Sequence, residues 1–296
     1  MAQISYAQNR EDVLLARLFA AGHRGFYIDV GANDPLHDSV TRYFYERGWC
    51  GINVEPGRIF EKIPAARPRD VNLNVALSDE AGTAMLYEFP NFPGSSTFCP
   101  REAEVHRRER GFECRQRAVE VTTLADVCRQ HASGPIDFIS IDVEGHERQV
   151  LSGGDWRRWR PVAVVVEATR PNTTIATHGE WEHLLLAAGY LYAAFDGINR
   201  YYIRAEDRHL VERLAAPANV LDDFVSYQVE RSERLLAETR RQLGELDQAA
   251  NDLKARLQSL EELGPVCLGV ARGLHRVVLR FPRVAAGLKR LARRAA

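Results

Sequence analysis

The stretch Gly25-Phe26-Tyr27-Ile28-Asp29-Val30-Gly31-Ala32-Asn33-Asp34 decides how the rest of the chain is read. Phe26 to Val30 has the composition of a short buried strand, and it runs into a turn that should open a helix. A glycine at the mouth of such a turn lets a ligand approach the backbone without meeting a Cβ. The N–H groups at the start of the helix would then face that ligand. Asp29, at the strand end, adds a carboxylate able to receive an ammonium or hold a water. Alone, the pattern D-x-G-x-N fits an ordinary αβ turn equally well, so its meaning depends on the segments around it.

Those segments repeat the pattern. Ser5-Tyr6-Ala7-Gln8 has capping-box form, with Ser5 as the cap, ahead of an amphipathic helix through Val13, Leu14, Leu18 and Phe19 toward Gly22. Gln8 and Asp12 are candidates to close over a ligand. Asp38-Ser39-Val40-Thr41 begins a helix that runs to Gly48, and Trp49 to Pro56 reads as a second strand ending in Glu55. Glu55 follows Asp29 by 26 positions, the spacing of a β-α-β unit. A carboxylate there can accept hydrogen bonds from both hydroxyls of a ribose; the plainer reading is a helix cap before Pro56. A third strand over residues 71–76 leads to Leu77-Ser78-Asp79, then to a hairpin around Gly82, a Pro/Gly-rich loop and a densely charged lid over residues 101–117.

Pro135 to Ile141 and Pro161 to Glu167 are near-continuous apolar strands, the first followed by Asp142-Val143-Glu144-Gly145-His146. Such strands alternating with helices call for a parallel sheet covered on both faces. Asp29, Glu55, Asp142 and Glu167 would gather at its carboxyl edge, where open α/β sheets bind ligands. A closing hairpin is expected from Tyr190 to Arg204 around Asp196-Gly197-Ile198-Asn199. It does not belong to an ordinary dinucleotide dehydrogenase domain, and G-x-G-x-x-G is missing.

With 45% hydrophobic residues among 296, the chain has material for one large α/β domain and an appendage. The five cysteines are widely spaced without a C-x-x-C pair, which argues against a disulfide framework or cysteine zinc site and for a reducing cytoplasm. No apolar run is long enough to span a bilayer, so at most a peripheral attachment to the inner face of a membrane is expected. The net charge of −1 is uneven: eight Lys/Arg and no Asp/Glu follow Gly264, leaving 31 basic and 40 acidic residues upstream. That asymmetry points to an acidic partner for the tail; nucleic acid is the less favoured candidate.

Taken in order, Tyr6-Ala7-Gln8 with Glu11-Asp12, Asp29-Val30-Gly31-Ala32-Asn33, Gly48-Trp49 with Val54-Glu55-Pro56, and Ile141-Asp142-Val143-Glu144-Gly145 resemble the FkbM family of methyltransferases. The resemblance covers roughly residues 3–204. It implies a Rossmann-like class I methyltransferase sheet of seven strands with the last antiparallel, S-adenosylmethionine as donor, and an oxygen acceptor such as a sugar hydroxyl of a glycan or lipid-linked saccharide. Carried onto this chain, it would put Asp29 and Gly31 by the methionine half of the donor with Ser39 nearby, and Asn33 among the donor-binding residues. Glu55 would hold the ribose, Ser78 and Asp79 would border the adenine, and Asp142, Glu144 and His146 would lie beneath the transferring methyl. Asp34-Pro35 departs from the further glycine common in methyltransferases, so the backbone path there is open.

Methyl transfer from a sulfonium is an in-line displacement, and alignment does most of the work. A hydroxyl acceptor must also lose its proton, to a carboxylate or His acting as general base, or with help from a divalent ion. Asp142, Glu144 and Glu167 are the candidate oxygen ligands for such an ion. The rival reading is a non-catalytic methyltransferase-like scaffold that dimerises and tethers partners at a membrane surface. A nicotinamide-dependent oxidoreductase is a weaker third.

The sequence divides into a methyltransferase domain over residues 1–206, a connecting helical segment over 207–228, a coiled coil over 229–263 and a basic amphipathic tail over 266–296. Val229, Leu236, Leu243, Ala250 and Leu257 alternate with Ser232, Thr239, Leu246, Leu253 and Leu260 as a heptad seam. A homo-oligomer is expected along it, with Gly264-Pro265 ending the helix. In the tail, Arg272, Arg276, Arg280, Arg283, Arg290 and Arg294 share one side, opposite Val270, Leu274, Val277, Phe281, Val284, Leu288 and Leu291, with a kink expected at Pro282. That division suits an anionic membrane surface, and pairing along the seam would present two tails together.

Overall fold

A computed structural model describes residues 3–280. Its centre is a seven-stranded sheet built from β-branched and aromatic runs. The chain starts with β1 (Gln3–Ser5), α1 (Glu11–Ala16), β2 (Phe26–Val30), α2 (Arg42–Glu46), β3 (Cys50–Val54), α3 (Ile63–Ala66) and β4 (Val71–Leu73). A side layer follows with β5 (Ala76–Ser78), β6 (Gly82–Glu88), α4 (Pro100–Arg110) and β7 (Arg115–Thr123). The chain then returns through α5 (Leu124–His131), β8 (Phe138–Ile141), α6 (Glu147–Ser152), β9 (Ala163–Glu167), α7 (Glu182–Ala187), β10 (Tyr190–Phe195) and β11 (Asn199–Arg204). It ends in β12 (Phe224–Ser226) and α8 (Tyr227–Arg280).

The main sheet runs β10-β11-β9-β8-β2-β3-β4. Strands β4, β3, β2, β8 and β9 are parallel, with Val30 opposite both Val54 and Ile141. Strand β11 is antiparallel to both of its neighbours. The strand alternation sends Ile28, Val30, Ile139 and Val164 to one face, where they pack with Leu124 and Val127 of α5, Val150 and Leu151 of α6, and Leu185 of α7. Tyr27, Phe138 and Tyr201 go to the other face, against Leu14 and Leu15 of α1, Phe44 and Trp49. Burial on both faces is why these strands read as continuous apolar runs.

Several local expectations are corrected. Ser5 ends a strand and caps no helix: its hydroxyl donates to Asp12 Oδ1 at 2.7 Å, and Asp12 also accepts from Tyr6 N at 2.7 Å. Asp12 is therefore a buried anchor for the N-terminal segment, while Gln8 stays exposed. The strand expected over residues 71–76 is two strands in different sheets, β4 and β5. Gly82 opens no tight hairpin: β6 pairs with the distant β7, Gly82 opposite Val121 and Glu88 opposite Arg115. The connecting segment over residues 207–228 holds short helical turns over Ala205–Leu214 and Val220–Asp222 and the strand β12, which pairs in parallel with β1.

The chain forms two compact units, one up to Glu230 and one from Arg231. Helix α8 continues through Gly264 and Pro265 to Arg280 instead of ending there. A proline removes one helical hydrogen bond and bends a helix, but the good helix formers Leu-Glu-Glu-Leu lie just upstream of Gly264. The expected kink at Pro282 and the tail beyond Arg280 lie outside the described residues.

Candidate active site

The carboxyl ends of β2, β3, β8 and β9 bring Asp29, Glu55, Asp142 and Glu167 to one edge of the sheet. The turn after β2 is not a helix start, and α2 begins only at Arg42. Gly31 and Asn33 have φ of 84° and 47°. Gly31 N and Ala32 N both donate to Val54 O, at 2.9 and 3.1 Å, and Asn33 N donates to Glu55 Oε2 at 2.9 Å. These N–H groups tie the turn to β3 and do not form an anion cradle. A Cβ at Gly31 would overlap the carbonyl oxygen of Asp142, so the glycine is required by the approach of the β8 turn. Asp34-Pro35 closes locally, with Asp34 Oδ1 accepting from Leu36 N and His37 N at 3.0 and 3.1 Å.

Glu55 is 7% exposed. Its Oε1 accepts from Gly57 N at 2.6 Å while Oε2 holds Asn33 N. Each oxygen of a carboxylate has two acceptor positions, so each keeps one for a ligand. Burial pushes the group up to about 7 despite the two N–H donors. Asp29 is also buried and accepts from Thr41 Oγ1 at 2.7 Å; burial raises it to about 6. Ser39 accepts from Nη2 of the buried Arg67 at 2.8 Å. Gly31, Asn33, Glu55, Asp142 and Glu144 line the crevice, and Asp29 and Ser39 are not among its lining residues.

The acids after β8 and β9 form a second group. Burial raises Asp142 to about 6, partly offset by hydrogen bonding with Glu167. Glu167 is raised well above the ordinary carboxylate range by burial and by the charges of Asp142, Glu147 and Glu144. Both carboxyl groups of the pair thus hold their protons more tightly than an ordinary carboxylate. Glu144, held at φ 53°, is raised by burial and by the charges of Asp142 and Glu147. Glu147 accepts from Val143 N and Gly145 N at 3.3 and 3.0 Å and fixes this turn. Glu144 Oε2 and Asn33 Oδ1 are buried without a hydrogen-bond partner, and both residues face the crevice. Among the described residues, no three His, Cys, Asp or Glu side chains converge as a metal-ligating group, so Asp142, Glu144 and Glu167 do not assemble as a ligand set.

His146 sits apart. Its Nε2 lies 3.1 Å from Ser78 Oγ, and Ser78 Oγ donates to Asp79 Oδ1 at 2.9 Å. These three residues border a separate cavity of about 270 Å³. Phe98 lines both spaces and forms the partition between them. On the crevice side, the Pro93-Gly94 turn presses so close that a Cβ on Gly94 would meet Asn33 Nδ2 at 2.8 Å. The volume of the crevice is about 70 Å³.

Thr41, Arg67, Glu147, Phe98 and the Pro93-Gly94 turn were not singled out by the sequence. The Pro/Gly-rich composition of the loop before Pro100 was a signal for a close approach; a buried arginine such as Arg67 leaves no periodic trace.

An open, mainly parallel sheet with an acid-lined crevice at its carboxyl edge defines an α/β protein whose crevice lies where such sheets bind ligands. Residues 29–192 match the model of the methyltransferase FkbM domain, and the chain belongs to that family of methyltransferases. It is also similar to methyltransferase sdnD of Sordaria araneosa, at 37% identity over 178 residues, an alignment covering 50% of this chain and 67% of that protein.

Proposed function

We propose that this methyltransferase uses S-adenosylmethionine to methylate a hydroxyl oxygen, on a glycan or lipid-linked saccharide. The observation that carries the reading is the pair of orphaned acceptors, Asn33 Oδ1 and Glu144 Oε2, facing one crevice with Asp142 and Glu55. Buried acceptors left without donors are costly, so the crevice is built for a ligand rich in N–H and O–H groups and positive charge. An ammonium, a sulfonium and two ribose hydroxyls supply those features. Glu55 would hold the hydroxyls with its two remaining acceptor positions, and Asn33 and Asp142 would receive the cationic half.

S-adenosylmethionine supplies an electrophilic methyl carbon; the acceptor oxygen bonds to it as the carbon–sulfur bond breaks toward sulfur. Glu144 takes the proton of the acceptor hydroxyl. Its raised affinity for protons keeps it neutral in the empty crevice, and a nearby positive charge favours the carboxylate. Glu144 thus becomes a base only when the crevice holds a cation.

Ligand pockets begin at roughly 300 Å³, far above the crevice volume. The side chain of Phe98 and the Pro93-Gly94 turn must therefore move to join the crevice to the Ser78–His146 cavity. Calorimetry in buffers of different ionisation enthalpy tests the reading: S-adenosylmethionine binding at pH 6.5 should release protons. Saturable binding without proton release would remove Glu144 as the cation-armed base.

A further inference from the structure

The second unit offers a surface that the methyltransferase reading does not use. Helix α8 leaves Leu236, Leu243, Leu246, Leu253, Leu257 and Leu274 between 50% and 66% exposed. They share one stripe at heptad spacing, and Pro265 falls outside it, on the outward side of the helix. A stripe of this kind is the seam of a coiled coil. Charge decides what it pairs with and in which direction.

We infer that residues 229–274 pair with the same segment of a second copy as an antiparallel two-stranded coiled coil, centred between Asn251 and Asp252. Asp247 and Lys254 occupy the same flanking heptad position, next after Leu246 and Leu253. In an antiparallel pair that position faces its own equivalent, so Asp247 of each copy meets Lys254 of the other, once on each side of the centre. In a parallel pair the same residues face Gln242 and Ala249 and find no opposite charge. The centre packs well in this register: Ala250 faces Leu253, Leu246 faces Leu257, and Val229 faces Leu274.

The antiparallel register also separates the two basic tails, contrary to the sequence expectation that dimerisation presents them together. The inference stands independently of the donor and acceptor.

The register makes one distinctive contact: Leu236 faces Cys267 of the second copy. The two Cys267 thiols lie about 47 Å apart along the axis at 1.5 Å per residue, whereas a parallel pair would set them face to face. The test uses the full-length chain with Leu236→Cys, whose position is half exposed and tolerates a smaller side chain. Light scattering should report a dimer, and mild oxidation followed by peptide mapping should give an intermolecular 236–267 disulfide. A monomer at all concentrations, or 267–267 and 236–236 disulfides in place of 236–267, overturns the proposal. Charge exchange gives a second arm. Asp247→Lys should weaken the dimer tenfold or more, and Asp247→Lys with Lys254→Asp should restore it; a double variant as weak as the single one refutes the register.

Discussion

Replacing Glu55 by glutamine should separate folding from donor binding. In the folded protein both carboxylate oxygens accept a backbone N–H, from Asn33 at 2.9 Å and Gly57 at 2.6 Å. A glutamine keeps one of these bonds and turns its own NH₂ against the other donor, losing about 1.5–3 kcal/mol. The substitution also removes a buried charge. Burial raises Glu55 from 4.5 to about 7, and at 1.36 kcal/mol per pKa unit the ionised carboxylate costs on the order of 3 kcal/mol above that pH. The two effects nearly cancel, so at pH 8 the melting temperature of Glu55→Gln should stay within a few degrees of the parent. Donor binding has no such offset. Loss of a charge-assisted acceptor for a ribose hydroxyl, again about 1.5–3 kcal/mol, should weaken S-adenosylhomocysteine about 10- to 100-fold. The assay is isothermal titration calorimetry at pH 8 beside a thermal melt. Unchanged affinity in a folded variant would place the ribose elsewhere.

Glu144→Gln should cut turnover by about 10²–10⁴ with S-adenosylhomocysteine affinity within a few-fold of the parent, and a parallel loss of both would make Glu144 a donor-binding residue. EDTA should leave the parent's turnover unchanged; loss restored by Mg²⁺ would mean that carboxylates rearrange to hold an ion. Asp29 and Asp142 rise to about 6, and Glu55 and Glu147 to about 7, so their folded forms hold protons more tightly than their unfolded forms. That stabilisation is full below about pH 4 and lost through pH 6–7, so the ligand-free protein should melt higher at pH 5.5 than at pH 8; a melting temperature rising across that window contradicts the shifts. The basic C-terminal segment is proposed to bind anionic lipid at about 1 kcal/mol per basic residue: the chain should sediment with anionic vesicles and not neutral ones, and failure to do so at low salt removes the membrane.

Strand-end acids were legible because period and composition place them: Asp29, Glu55, Asp142 and Glu167 each follow an apolar run that had to be buried. Their shared edge followed from parallel order alone. The turn after β2 was misread because Gly31 and Asn33 suit a ligand loop and a backbone-tied turn alike, and only the approach of Asp142 distinguishes them. Ser39 was assigned to the donor by resemblance, and its bond to Arg67 was not legible because the two are 28 residues apart and no spacing rule joins them. The coupling of Asp142 with Glu167 needs β8 and β9 side by side. Helix α8 was read wrongly as to its stop, since it runs through Pro265 to Arg280, and a proline inside a helix can bend it without ending it.

The most direct test of the central claim is equilibrium titration of S-adenosylhomocysteine and of NAD into the full-length parent at pH 8. The account predicts saturable one-to-one binding of S-adenosylhomocysteine, no heat from NAD, and loss of the signal when Gly94→Trp fills the crevice beside Asn33. Saturable NAD binding, or S-adenosylhomocysteine binding untouched by Gly94→Trp, would contradict it.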